Sequence, residues 1–120
     1  MKILIVERDI SLLETMKDIC DIENLIPITA KNCDEARNFL LKGQLPDLII
    51  CDEFVPLRSG SEWRQELSLH PKWKEIPFVL MKAQRDKMGN TQTMELQKPF
   101  SIDEVLGIFQ KIRLSSRTRT

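Results

Sequence analysis

Short apolar runs alternate along the chain with longer stretches whose apolar residues recur every three or four positions. Lys2–Val6 reads as a strand. After it, Ile10, Leu13, Met16 and Cys20 fall at helical spacing, with Asp9 or Ser11 as the cap and Glu14 three residues beyond Ser11. Leu25–Ala30 is a second short strand, and Pro27 within it lacks the N–H that a ladder needs, which places this strand at a sheet edge. Cys33–Lys42 is helical with Ala36, Phe39 and Leu40 inward, and Gly43 is positioned to end it. Leu48–Cys51 is apolar throughout. Ser61–His70 is a helix stopped by Pro71, and Phe78–Met81 is a fourth strand.

The pattern weakens after that. Ala83–Thr93 holds Gly89, Asn90 and many polar residues, and has room for a short helix at most. Leu96 marks a short fifth strand ending at Lys98-Pro99. Ser101-Ile-Asp-Glu104 is a capping box that opens a last helix with Val105, Ile108, Phe109 and Ile112 on one face. No apolar residue follows Leu114, so residues 1–114 are expected to form the domain and 115–120 a disordered tail or the start of a linker. Lys111, Arg113, Arg117 and Arg119 make this end basic, which is read as solvated charge. Strands that are apolar from end to end, separated by amphipathic helices, predict an α/β domain: a parallel sheet covered on both faces.

Composition acts mainly by exclusion. A chain of 120 residues with 42% apolar and 30% charged residues is one ordinary globular domain. Eighteen basic residues balance eighteen acidic ones, so no global field draws the chain to nucleic acid or an anionic membrane. No apolar run approaches the roughly 20 residues that span a bilayer, and the expected setting is the cytoplasm. Cys20, Cys33 and Cys51 are widely spaced and contain no C-x-x-C, so neither a disulfide framework nor a zinc site is expected. Cys51 is read as an inert buried thiol. The four glycines build no phosphate-binding loop, and there is no G-x-S-x-G. The single His70 is expected as an exposed helix-end residue. Trp63 and Trp73, with Met16, Met81 and Met88, read as packing residues.

In a parallel sheet, functional groups gather outside the carboxyl ends of the strands. Strand one ends in Glu7-Arg8-Asp9, strand three in Asp52-Glu53, strand four in Lys82 and strand five in Lys98. Glu7, Arg8, Asp52, Lys82 and Lys98 therefore converge on one rim.

With these residues in place, the chain resembles the receiver domain of two-component response regulators over nearly its whole length. The resemblance is carried by K-I-L-I-V-E-R-D at 2–9, P-D-L-I-I-C-D-E-F-V-P at 46–56 with S-G at 59–60, I-P-F-V-L at 76–80 and K-P-F at 98–100. It implies a flavodoxin-like (βα)5 fold with strand order 2-1-3-4-5, a shortened fourth helix and a cis bond at Lys98-Pro99. It further implies that Asp52 is the phosphoacceptor and that Lys98 supplies positive charge beside it. Glu7, Asp52 and the backbone of Phe54 would be the ligands of a magnesium ion. The implied partners are a histidine kinase or phosphotransfer protein, and a protein partner or second copy on the face of the last helix. Neither membrane nor, without a further output domain, nucleic acid is implied.

The departures from that family are concentrated in the chemistry. Arg8 stands where the second metal-binding acid is usual, Lys82 replaces the Ser or Thr ending strand four, and Glu95 replaces an aromatic residue. The five rim charges sum to +1 where the family has −2, and the Arg8 guanidinium could fork onto Asp52 or Glu7 and fill the cation's place. Lys82 and Glu95 could pair with each other. Arg8 thus argues against magnesium. Two readings of Asp52 stay open, a working acceptor or a relic in a phosphorylation-independent pseudo-receiver that binds protein partners. An enzyme of flavodoxin-like fold is the poorer third, because the chain has neither a phosphate loop nor a usable histidine.

Overall fold

The computed structural model describes residues 1–83 and 94–117, with side chains as far as Ser115. Five strands, β1 (Lys2–Val6), β2 (Ile26–Ala30), β3 (Leu48–Asp52), β4 (Phe78–Lys82) and β5 (Met94–Gln97), form one parallel sheet in the order β2-β1-β3-β4-β5. Among the described residues four helices pack on it: α1 (Ile10–Ile22), α2 (Cys33–Leu41), α3 (Gly60–Ser68) and α4 (Ile102–Arg117). This is the flavodoxin-like receiver architecture expected above. The expected short helix within Ala83–Thr93 lies outside the described residues from position 84 onward.

Strand alternation sorts the core into two layers. Ile3, Ile5, Leu48, Ile50, Val79 and Met81 face α1 and α4, where they meet Leu13, Met16, Val105 and Phe109. Leu4, Val6, Ile49 and Cys51 face α2 and α3, where they meet Cys33, Ala36, Trp63 and Leu67. Because both faces are covered, β3 is buried along its whole length. β2 is the exposed edge: Pro27 lies opposite Ile3 in register, and the missing N–H costs nothing where no further strand follows.

The ends of the helices follow local chemistry. Asp9, not Ser11, caps α1, accepting from the N–H groups of Ser11 and Leu12. Its neighbour Ile10 is solvent-exposed, so the buried stripe of α1 begins at Leu13. The α2 helix ends at Leu41, with Gly43 at φ 82 donating to Leu40 and Gln44 donating to Phe39. α3 begins one residue earlier than expected because the Ser59 hydroxyl accepts from the Glu62 N–H. It ends at Ser68, two residues before His70. His70 is half-buried, not exposed: it stacks on Trp73 with ring centroids 3.7 Å apart, and its Nδ1 accepts from the N–H groups of Lys72 and Trp73.

Two expectations for the C-terminal end need correction. α4 continues through Arg117, three residues beyond Leu114, because Ser115, Ser116 and Arg117 contain no glycine or proline to stop it. Arg113 is not simply solvated charge either. Its guanidinium donates to the Glu23 carbonyl at 2.8 Å and lies 3.6 Å from the Glu23 carboxylate, placing a cation at the C-terminus of α1.

Gly60 and Gly107 separate two roles of glycine. A Cβ on Gly60 would come within 2.6 Å of the Asp52 carbonyl oxygen and 2.7 Å of Leu80, whereas one on Gly107 meets nothing within 4 Å. Gly60→Ala is therefore expected to destabilise the domain by about 1–3 kcal/mol through overpacking. Gly107→Ala, inside α4, should stabilise it by roughly 0.5–1 kcal/mol. Urea unfolding of the two variants should move the midpoint in opposite directions.

Candidate functional site

The carboxyl ends of β1, β3 and β5 deliver three charged side chains to one point. Glu7, directly after β1, and Asp52, the last residue of β3, are the buried charged residues among those described, at 1% and 5% exposure. The Lys98 ammonium, one residue beyond β5, lies 2.9 Å from Glu7 Oε2 and 2.9 Å from Asp52 Oδ1. A backbone bond from the Lys98 N–H to the Lys82 carbonyl at 2.7 Å holds the lysine at the sheet rim, and the Lys98-Pro99 bond is cis, as expected.

The remaining carboxylate oxygens are also occupied. Glu7 Oε1 accepts from the Asp9 N–H at 3.1 Å, and Asp52 Oδ2 accepts from the Phe54 N–H at 3.2 Å. Such pairing is what makes two ionised carboxylates tolerable in a site screened from water. Burial works against the Lys98 ammonium, but its bonds to Glu7 and Asp52 and their charges outweigh that and hold its pKa above the usual lysine value.

Other residues expected at the rim sit differently. The Arg8 side chain is exposed and makes no ion pair with Glu7 or Asp52. It lines an open groove beside Glu53, Phe54 and Leu57. The expected fork is thus corrected: Glu7 turns into the protein, and its successor turns out to water. Lys82 does not reach Asp52 but pairs with Glu95, Nζ to Oε1 3.5 Å, as the alternative expectation had it. With Lys82 neutralised by Glu95 and Arg8 outside, the inner set of Glu7, Asp52 and Lys98 carries −1, not the +1 expected for the whole rim. Phe54 contributes its N–H to Asp52, while its ring is exposed.

Three residues to which sequence reasoning gave no role, Gly60, Glu53 and Ser61, complete the site. Gly60 allows α3 to begin against the Asp52 carbonyl, and its N–H donates to the Glu53 carbonyl at 3.0 Å. The Glu53 carboxylate accepts from the Ser61 N–H at 3.1 Å and from the Ser61 hydroxyl, tying the β3 end to the α3 start. The S-G at 59–60 was the available signal for Gly60. Nothing in the spacing of Glu53 and Ser61 points to their contact.

Comparison with known proteins agrees with this geometry. No family model matches the chain. The phosphate regulon transcriptional regulatory protein PhoB of Escherichia coli (strain K12) is 27% identical over 111 residues, covering 88% of this chain and 48% of the relative. The signal receiver domain of a signal transduction histidine kinase from Syntrophus aciditrophicus superposes with a TM-score of 0.86 at 26% identity, over 99% of this chain and 93% of that one. The chain is a response regulator receiver domain. The two-component response regulator EHD1 of Oryza sativa subsp. indica is 32% identical over 119 residues, covering 93% of this receiver and 34% of EHD1. The receiver thus spans about half the length of PhoB and a third of EHD1. Among the described residues no helix is long and apolar enough to cross a membrane.

Removing the Lys98 cation leaves two buried carboxylates facing each other. Lys98→Met should cost on the order of 3 kcal/mol near neutral pH. Because the folded-state pKa of Lys98 is raised, its contribution is fully present below the ordinary lysine pKa and is lost as pH rises through the folded value. The stability gap between wild type and Lys98→Met, followed by chemical denaturation, should accordingly stay level up to the usual lysine range and narrow above it.

Proposed function

We propose that the domain is a receiver-type signalling module of a two-component pathway that acts by binding protein partners, with Asp52 at the phosphoacceptor position of a magnesium-poor pocket. The observation that carries this reading is the Lys98 ammonium seated between the two buried carboxylates, while Arg8, in the place of the second metal-binding acid, turns to solvent. The donor set does not fit a resident divalent ion. Among the described residues no group of three or more His, Cys, Asp or Glu side chains is placed to hold a metal. Glu7, Asp52 and the Phe54 backbone are the donors that remain, and with the Lys98 ammonium on both carboxylates the set carries a net −1, short of the charge of a divalent ion.

The output chemistry points the same way. A hydroxyl at the end of β4 would follow a phosphoryl group, but Lys82 is held by Glu95, with both side chains about one-fifth exposed. Partner binding therefore does not depend on the moves that a hydroxyl and an aromatic residue would make. A histidine kinase or phosphotransfer protein is the partner class to which the receiver relatives direct attention, and the α4 face is the alternative surface for a protein partner or second copy.

A second reading has its own support: the Lys98 ammonium lies 2.9 Å from Asp52 Oδ1, where it would offset the charge of an incoming phosphoryl group. The two readings separate in one experiment. The wild type should show no saturable magnesium binding near Asp52 at millimolar concentration by NMR titration, and an acyl phosphate should add no phosphoryl mass. Arg8→Asp combined with Lys82→Thr should gain metal binding and labelling, the latter abolished by Asp52→Asn. Saturable magnesium binding in the wild type, with labelling lost in Asp52→Asn, would make Asp52 an ordinary acceptor.

A further inference from the structure

The connection between β3 and α3 displays large apolar side chains on a fixed backbone. Phe54 is 66% exposed and Leu57 77% exposed, while Val55 is buried and anchors the loop. Bonds hold the loop at both ends. The Phe54 N–H donates to Asp52, the Arg58 carbonyl accepts from Cys33 Sγ, and the Arg58 guanidinium pairs with Glu66. Leu57 has φ 77, in the left-handed region where a side chain costs backbone energy that glycine would avoid. An anchored loop with two exposed apolar side chains, one of them on strained backbone, has the character of a contact surface.

The same loop borders an open groove of about 480 Å³, lined also by Arg8 and by Glu62 in the first turn of α3. Two other charges of the groove are engaged, Glu53 with Ser61 and Arg58 with Glu66. Arg8 and Glu62 stay open. Both are exposed, and neither forms an ion pair among the described residues. The Glu62 carboxylate accepts from the Ser59 hydroxyl through Oε1 alone. A groove of one sign would call for a partner of the opposite sign. This one balances, Arg8 and Arg58 against Glu53 and Glu62. A patch that holds an unpaired cation, an unpaired carboxylate and apolar side chains between neutralised neighbours complements itself, as an interface with two-fold symmetry requires.

We propose that this groove receives a second copy of the chain, in a two-fold dimer that sets Arg8 of each copy against Glu62 of the other. A two-fold axis passing between the two residues makes both ion pairs at once and brings Phe54 and Leu57 of one copy onto the groove of the other. The guanidinium offers a carboxylate two parallel N–H donors, and the apolar contact beside them keeps water away. This surface is distinct from the α4 face. It needs neither a metal ion nor a phosphoryl group on Asp52, and it gives Arg8 a partner that the acceptor pocket does not supply.

Sedimentation velocity of the whole chain, from micromolar to millimolar concentration, provides the test. The wild type should pass from monomer to dimer as concentration rises. Arg8→Glu and Glu62→Arg each place like charges face to face, and each should weaken the dimer by about tenfold or more. An equimolar mixture of the two variants should form a heterodimer at close to wild-type strength, because every facing pair is again a cation and a carboxylate. Repair in the mixture excludes pairing within one chain. Phe54→Ser with Leu57→Asn should weaken association with no change of charge. Leu69→Ser, 80% exposed at the other end of α3, should leave it unaltered. Urea unfolding reports whether each variant keeps its fold, and the uncharged double variant decides if a charge reversal does not. A chain that stays monomeric throughout, a dimer indifferent to both charge reversals, or a mixture no stronger than its components would each overturn the proposal. So would a dimer lost only on Leu114→Glu in α4, which would leave the receiver reading and its α4 surface standing.

Discussion

One ammonium shared by two buried carboxylates sets the terms for the carboxyl end of this sheet. Glu7 follows β1 and Asp52 ends β3, two neighbouring interior strands, where apolar side chains surround the backbone on both faces and leave little water to stabilise a charge. A buried charge there calls for a partner at close range. Lys98 meets both, and to do so β5 must end at the height where β1 and β3 end. The Lys98 N–H bonded to the Lys82 carbonyl fixes that height. The short edge strand β5 is therefore tied to the centre of the sheet by charge as well as by its ladder with β4.

Lys98 and backbone N–H groups occupy the inner carboxylate oxygens, and the other basic residues of the rim make no ion pair with them. Arg8 follows Glu7, and a chain that turns Glu7 inward turns Arg8 toward solvent, where a long guanidinium side chain keeps its hydration at no cost in rotamer freedom. Lys82 and Glu95 come from adjacent strands and sit diagonally, with Lys82 opposite Gln97 and Glu95 opposite Leu80. Such diagonal neighbours lie within reach of long side chains. The pair holds Lys82 away from Asp52 in a fixed ion contact between β4 and β5.

Much of this was legible in the residues. Pro27 marks an edge strand, and the unbroken apolar runs require cover on both faces, so the sheet follows from local chemistry once the family order is joined to it. The strand-end charges also announced the rim. What the pattern could not supply was which charge meets which. Strand alternation gives the face of a residue, but the choice between Arg8 and Lys98 as partner of Asp52 depends on side-chain reach and on how far β5 extends. The tail was misjudged for a related reason: lack of apolar residues after Leu114 argues against burial, yet helix continuation needs only the absence of a stop signal. Arg113 likewise gave no sign of its contact with Glu23, which lies far away in sequence.

The peptide of Asp52 is where the two faces of the sheet communicate. Its carboxylate belongs to the Lys98 cluster, while its carbonyl oxygen accepts the Cys51 thiol and lies against Gly60 at the first turn of α3. The contact at Gly60 is so close that no side-chain atom fits between, and close-packed interiors pass small displacements on without absorbing them. A change in the hydrogen bonding of Cys51 therefore bears on the carbonyl, the carbonyl on the start of α3, and α3 on Glu53 through Ser61. Charge on one face and sulfur on the other are thus coupled through one backbone unit, although their side chains point apart.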